Sequence, residues 1–197
     1  MNNIDKEKLQ KKERLLNSGF ELFMNKGINN TSIQDITDKA DVAKGTFYLY
    51  YKNKYELQND IIVLKSKELL DSAIKETQNK NIKNLDDKII SVIDHIINTL
   101  KNSPLLMNLI GKDISLGYIE EKFDNFINDD EDSIQTYFMK AYEKSNIKLK
   151  NPIVTFYMII ELASASIYSS ITKKIPLEID EYKEYLYSSI RLLLKEK

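Results

Sequence analysis

The stretch Asp41–Leu57, DVAKGTFYLYYKNKYEL, sets Phe47, Tyr48, Tyr50, Tyr51 and Tyr55 among Lys44, Lys52 and Lys54. A buried helix wants the aromatics without the charges, and a solvated loop wants the charges without the aromatics. Both belong on a short helix that sinks one side into a core and turns the other toward a polyanion. The preceding sequence fits such a helix. From Lys8 to Lys26 the apolar residues Leu9, Leu15, Leu16, Phe20, Leu22 and Phe23 repeat at amphipathic-helix spacing, and Gly27 follows as a left-handed cap. Gly19 inside that helix costs about 1 kcal/mol relative to alanine, which predicts a close helix crossing there. In the next segment, NNTSIQDITDKA, Thr31 or Ser32 can cap a second helix. Gln34 or Asp35 completes a capping box, and Ile33, Ile36 and Ala40 share a face. Asp41, Val42 and Ala43 are then left to make a tight turn, whose corner Asp41 can occupy because aspartate tolerates positive φ. Two helices across a three-residue turn predict a helix-turn-helix.

The rest of the chain continues in helical periods. Helices are predicted over Lys54 to about Lys80, Leu85–Lys101, a short run from Pro104, Ser133–Ser145, Ile153–Thr172 and Glu178–Lys195, with a less regular stretch from Gly117 to Asp132. Five glycines and three prolines in 197 residues leave few turns for a sheet, so the fold class is all-α. Residues 1–52 form an N-terminal three-helix bundle with the helix-turn-helix, and residues 53–197 a larger helical domain.

The net charge of −1 hides an asymmetry: residues 1–54 hold ten Lys and Arg against seven Asp and Glu, a balance of +3, and the remainder holds 19 against 23, a balance of −4. A basic head on an acidic body fits a polyanion partner. Cysteine is absent, which excludes disulfides and thiolate chemistry and fits a reducing compartment. The N-terminal residues hold no apolar run of the signal-peptide kind, so a cytoplasmic location is expected. The most apolar segment, Ile153–Ile171, carries Glu161 near its middle; a carboxylate at a bilayer centre costs about 2.5–3.5 kcal/mol, which makes the segment a buried helix rather than a membrane span.

On the residues alone, a recognition helix starting near Lys44 turns Phe47 inward. In a major groove, Lys44 reaches a base edge, Gly45 lets the backbone approach, Thr46 and Tyr48 offer hydroxyls to phosphates, and Lys54 adds charge at the next helix start. The run Phe20…Leu22-Phe23…Gly27…Thr31…Ile33…Ile36…Ala40…Val42…Lys44-Gly45-Thr46-Phe47-Tyr48…Tyr50-Tyr51-Lys52-Asn53-Lys54…Glu56-Leu57 resembles the TetR family of bacterial one-component regulators. The resemblance covers about the first 60 residues, with two departures: Asp41 replaces the turn glycine, and Ala43 the serine that caps the recognition helix. It implies phosphate contacts from Thr31, Ser32, Tyr48 and Lys54, and base or groove contacts from Gln34, Lys44, Gly45, Thr46 and Tyr50. Tyr50 also borders the buried side, where packing competes with contact. Further implications are a double-stranded DNA operator, a homodimer joined through the last two long helices, and a small-molecule effector. A single helix-turn-helix makes few contacts, which argues independently for a two-fold dimer on a near-palindromic site.

Within the larger domain, Tyr157, Glu161 and Tyr168 form a polar and aromatic strip on a helix read as buried, and are the candidate effector contacts; pairing of Glu161 across a dimer interface is the structural alternative. His95, the single histidine, shares a helix face with Ser91, Asn98 and Asn102 and is read as a solvent or interface residue. Asp129-Asp130-Glu131-Asp132 lacks the alternation and glycine of a calcium loop and reads as a solvated helix start. No catalytic residue, metal or cofactor is expected. The function read from the sequence is a ligand-responsive transcriptional repressor. Its alternatives are a helix-turn-helix adaptor or activator without an effector, and an enzyme on a helical bundle.

Overall fold

A computed structural model describes residues 3–110 and 134–195. The helices are α1 (Asn3–Lys26), α2 (Ile33–Ala40), α3 (Lys44–Tyr50), α4 (Lys54–Asn79), α5 (Leu85–Asn102), α6 (Pro104–Ile110), α7 (Ile134–Glu143), α8 (Pro152–Lys173) and α9 (Ile179–Leu193), with no strand among the described residues. The fold class is all-α, as the periodicity predicts. The stretch Gly117 to Asp132, read from the sequence as less regular, lies outside the described residues together with its acidic run.

The chain divides into two compact units, Met1–Lys65 and Ser66–Lys197. The division falls inside α4, 13 residues beyond the 52/53 boundary drawn from the sequence. Its cause is burial: Leu57 and Ile61 of α4 are fully enclosed, and they close over Gly19 of α1. A Cβ added at Gly19 would lie 2.7 Å from Leu57 Cδ2 and 3.0 Å from Ile61 Cδ1, so glycine is what lets the helices cross there. The core of this first unit is Leu15, Phe23, Ile36, Ala40, Phe47, Tyr51, Leu57 and Ile61. Tyr51 donates to Asp60 Oδ2 at 3.2 Å, and Lys12 lies 2.9 Å from the same carboxylate. Burial and that carboxylate hold the Tyr51 phenol above its ordinary pKa.

In the second unit α8 packs against α5, α7 and α9. It buries Phe156, Ile159, Ala163 and Ile167, and also Ser164, Ser166 and Ser170. Ser164 and Ser166 donate back to carbonyls of the same helix, so their burial leaves no hydroxyl unpaired. Among the described residues α8 is the one helix long and apolar enough to cross a membrane, and its inner face packs against α5, α7 and α9. Arg191 forks across Asp86 and Asp87, and Asp94 accepts from Tyr187 at 2.6 Å and pairs with Lys183 at 2.8 Å, so charged ties join α9 to α5. His95 meets α4, not open solvent: Nδ1 lies 2.7 Å from Glu76 Oε2 and Nε2 3.2 Å from Ser72 Oγ. The order serine, histidine, carboxylate mimics a nucleophile relay, but the Ser72 hydroxyl donates to the Leu69 carbonyl at 2.7 Å, which directs its proton away from the imidazole.

Candidate DNA-binding site

The local chemistry of α2 and the turn after it fixes where α3 points. Ser32 caps α2: its hydroxyl accepts from the Asp35 amide at 3.0 Å, and its own amide donates to Asp35 Oδ2 at 2.8 Å. Lys26 reaches the same carboxylate at 2.9 Å. The Lys26 ammonium, with the Ser32 amide and hydroxyl behind it, holds the Asp35 carboxyl down at about 2. Asp41 then takes the left-handed corner at φ 52°, ψ 53°, with its amide turned back on Asp38 and Thr37 carbonyls. Ala43 stands in the N-cap position of α3 in extended conformation and supplies no side-chain cap. The departures from the family pattern at these two positions are therefore accommodated at the turn and uncompensated at the cap.

On α3, Phe47 is fully buried, and Tyr51, one turn on, is 3% exposed. The opposite side carries Lys44, Gly45, Tyr48 and Leu49, all exposed. No ion pair involves Lys44 among the described residues, whereas Arg14, Lys26, Lys39 and Lys52 each face a carboxylate. A side chain at Gly45 would meet nothing within 4 Å, so that face is open for a groove to approach. Tyr48 is half exposed, with its ring edge-on to Phe47 at 5.6 Å. Thr46 is half-buried beside them. Gln34 is exposed, and its amide nitrogen donates to Asp38 Oδ1 at 2.6 Å.

Three residues of the sequence-derived set face elsewhere. Thr31 is fully buried, its hydroxyl donating to the Gly27 carbonyl at 2.8 Å, so it ties the α1–α2 loop. Lys54 directs its ammonium at the carbonyls of Ile28, Thr31 and Asn29, at 2.7, 2.9 and 3.4 Å. An ammonium has three donors, and all three are committed to that loop. The Tyr50 hydroxyl donates to the Lys8 carbonyl at 3.0 Å, fastening the end of α3 to α1. Charge and spacing in the sequence cannot separate a lysine aimed at phosphate from one aimed at its own loop.

The effector candidates also change place. Glu161 is exposed, with Val154, Met158 and Ala165 on the same side of α8, so the cost of a buried carboxylate does not arise. Tyr157 and Tyr168 are half-buried at the border of that side. α8 buries serines on its inner face, and because a serine reads as outward in a sequence, the apolar period does not separate its two sides.

The sequence profile described as "Bacterial regulatory proteins, tetR family" matches residues 15–61, from the middle of α1 to the buried part of α4. The Transposon Tn10 TetC protein of Escherichia coli is 30% identical over 173 residues, covering 82% of this chain and 84% of that protein. The chain belongs to the tetR family of bacterial regulatory proteins. An uncharacterised HTH-type regulator of Bacillus subtilis, YerO, is 42% identical over 48 residues; this match takes in 24% of the chain and only 17% of YerO's length. The tetR-family fold extends through the second unit. A TetR transcriptional regulator from Rhodococcus sp. RHA1 superposes with a TM-score of 0.68 at 17% identity over 95% of this chain and 97% of that one. Thermus thermophilus FadR, crystallised with lauroyl-CoA, superposes with a TM-score of 0.67 at 17% identity over 93% of each chain.

Proposed function

We propose that the protein is a ligand-responsive repressor that binds a near-palindromic operator as a homodimer and leaves it when a small molecule enters the second unit. The observation that carries the DNA reading is the outward side of α3, where Lys44 stands without a counter-charge beside the open backbone of Gly45. Residues 1–52 hold this surface. Lys44, Gly45, Tyr48, Ser32 and Gln34 face the duplex. Thr46 lies at the edge of that surface, and Thr31, Tyr50 and Lys54 hold the helices in position.

Residues 53–197 supply the dimer contact and the effector site. On α8 the exposed side runs Val154, Met158, Glu161, Ala165, and on the adjacent α9 it runs Glu181, Tyr185, Ser188, Leu192. Val154, Met158, Tyr185 and Leu192 are each at least half exposed, and small Ala165 and Ser188 between them allow close approach. A second copy of these helices covers that apolar side, and Tyr157, Glu161 and Tyr168 then stand at or beside the dimer contact.

Among the described residues, two cavities of the second unit compete as the effector site. A cleft of about 430 Å³ near the ends of α5, α8 and α9 is lined by Lys101 and Lys174, but these pair with Asp180 and Glu178. A cavity of about 30 Å³ between α5, α7 and α8 is lined by Val92, Ile93, Tyr137, Phe138, Phe156 and Ile159 among others, all apolar but for the Tyr137 phenol. Ligand sites are mostly apolar with few polar groups, which favours the second. Its volume suits about one water molecule, so any effector has to part α7 from α5 and α8, and binding is thereby coupled to a change of conformer. Lauroyl-CoA, held by the Thermus FadR of like fold, has an apolar chain that would suit this apolar lining once the helices part.

Selection of bound duplexes from a random DNA pool tests this function. The expected product is a near-palindrome whose half-sites lie about one helical turn or a multiple apart. A pool that shows no enrichment overturns the proposal.

A further inference from the structure

The recognition helix carries a residue whose chemistry the polar contacts above leave unused. Leu49 is 80% exposed, more than any other large apolar side chain among the described residues. It lies one turn beyond Gly45 on the same side of α3, directly opposite buried Phe47. Lys44 and Tyr48 flank that line on one side, Thr46 and Tyr50 on the other. With no side chain at Gly45 and nothing within 4 Å of where one would be, the helix can sit deep, and Leu49 is the side chain that then meets the floor of the groove.

We infer that Leu49 reads the C5-methyl group of a thymine in each operator half-site. The inference rests on the DNA-binding role of α3 proposed above. Along the major-groove edges of the four base pairs, donors and acceptors dominate, and the thymine methyl is the apolar feature. A leucine pressed against a purine edge or a cytosine amino group would strip those polar atoms of water and return no hydrogen bond. Against a thymine methyl, the same burial removes apolar surface on both sides. The residue thus selects T·A at one position of each half-site by apolar contact, while Lys44 and Gln34 read hydrogen-bonding edges elsewhere.

Replacement of thymine by deoxyuridine deletes this methyl group and changes nothing else on the edge, which makes the test specific. In the duplex selected by the wild-type protein, each symmetric pair of thymines is replaced in turn. The ~0.8 kcal/mol of one buried methyl-sized group corresponds to about a four-fold loss of affinity per half-site, or about fifteen-fold when both are changed. One pair is expected to show that loss with wild type. Leu49→Ala is expected to bind thymine and uracil duplexes alike at that pair, and Leu49→Met to retain part of the preference. Because Leu49 is exposed, the alanine variant should keep the wild-type thermal midpoint. Wild type that is indifferent to every thymine methyl overturns the inference, as does an unchanged preference in Leu49→Ala; both leave the DNA-binding reading standing. Absence of any DNA binding overturns the two together.

Discussion

Lys54 shows how far a single side chain can differ from its charge. Its ammonium holds three carbonyls of the α1–α2 loop, the loop that sets Ser32 at the head of α2. Lys54→Ala leaves partly buried carbonyls without donors, and the expected result is a loss of about 1–3 kcal/mol in stability, read by urea unfolding. Affinity should fall alike for operator and scrambled duplex, with the salt dependence of binding unchanged; a slope lower by one unit per subunit would return Lys54 to the phosphates. The same residue scale marks the limit of legibility. Asp41 in a left-handed corner, Ala43 without a cap, Gly19 under a crossing and Phe47 turned inward all follow from side-chain size and allowed φ, which a sequence displays. The partners of Lys54 and Tyr50 are 23 to 42 residues away, and no local rule points to them, whereas Thr31 bonds back to a carbonyl only four residues earlier. Leu49 carries no charge or hydroxyl, so the sequence does not mark it as a contact residue.

The short helices that present the site owe their ends to identifiable contacts. α3 begins without a side-chain cap, and the backbone at Ala43, φ −65° and ψ 145°, already suits a capping serine. Ala43→Ser should therefore raise stability by about 1 kcal/mol, measured as a shift in the urea midpoint at constant m-value. A neutral or destabilising result would mean that the hydroxyl cannot reach the first-turn amides. α2 depends on Asp35, whose folded-state pKa is lowered from 3.8 to about 2. A lowered carboxyl pKa stabilises the fold above the unfolded value, and that contribution fades as pH falls through the folded one. Wild type should lose stability between about pH 4 and pH 2, and Asp35→Asn, weaker at neutral pH, should show a shallower decline across that window in parallel urea titrations. Equal acid slopes would place the titration elsewhere. Helix ends were legible within a few residues because glycine, proline and capping residues mark them: Gly27 closes α1 at φ 77°, and Asn151 with Pro152 opens α8.

At the scale of the whole molecule, one α3 per chain needs a second copy to reach useful specificity, and the exposed apolar sides of α8 and α9 are the surface proposed for it. Leu192→Glu, at a 59% exposed position, should leave the monomer fold intact, shift the mass in solution from dimer to monomer, and abolish tight operator binding. A variant that stays dimeric would move the contact to another surface. The measurement that most directly tests the central claim, that the outward side of α3 reads an operator, is equilibrium titration of wild type and Lys44→Ala on the selected operator and on a scrambled duplex at several salt concentrations. The account predicts that wild type prefers the operator by at least about a thousand-fold, and that Lys44→Ala loses about 1–3 kcal/mol on the operator and distinctly less on the scrambled duplex. Equal losses on both duplexes, or a wild type that does not tell them apart, would contradict it.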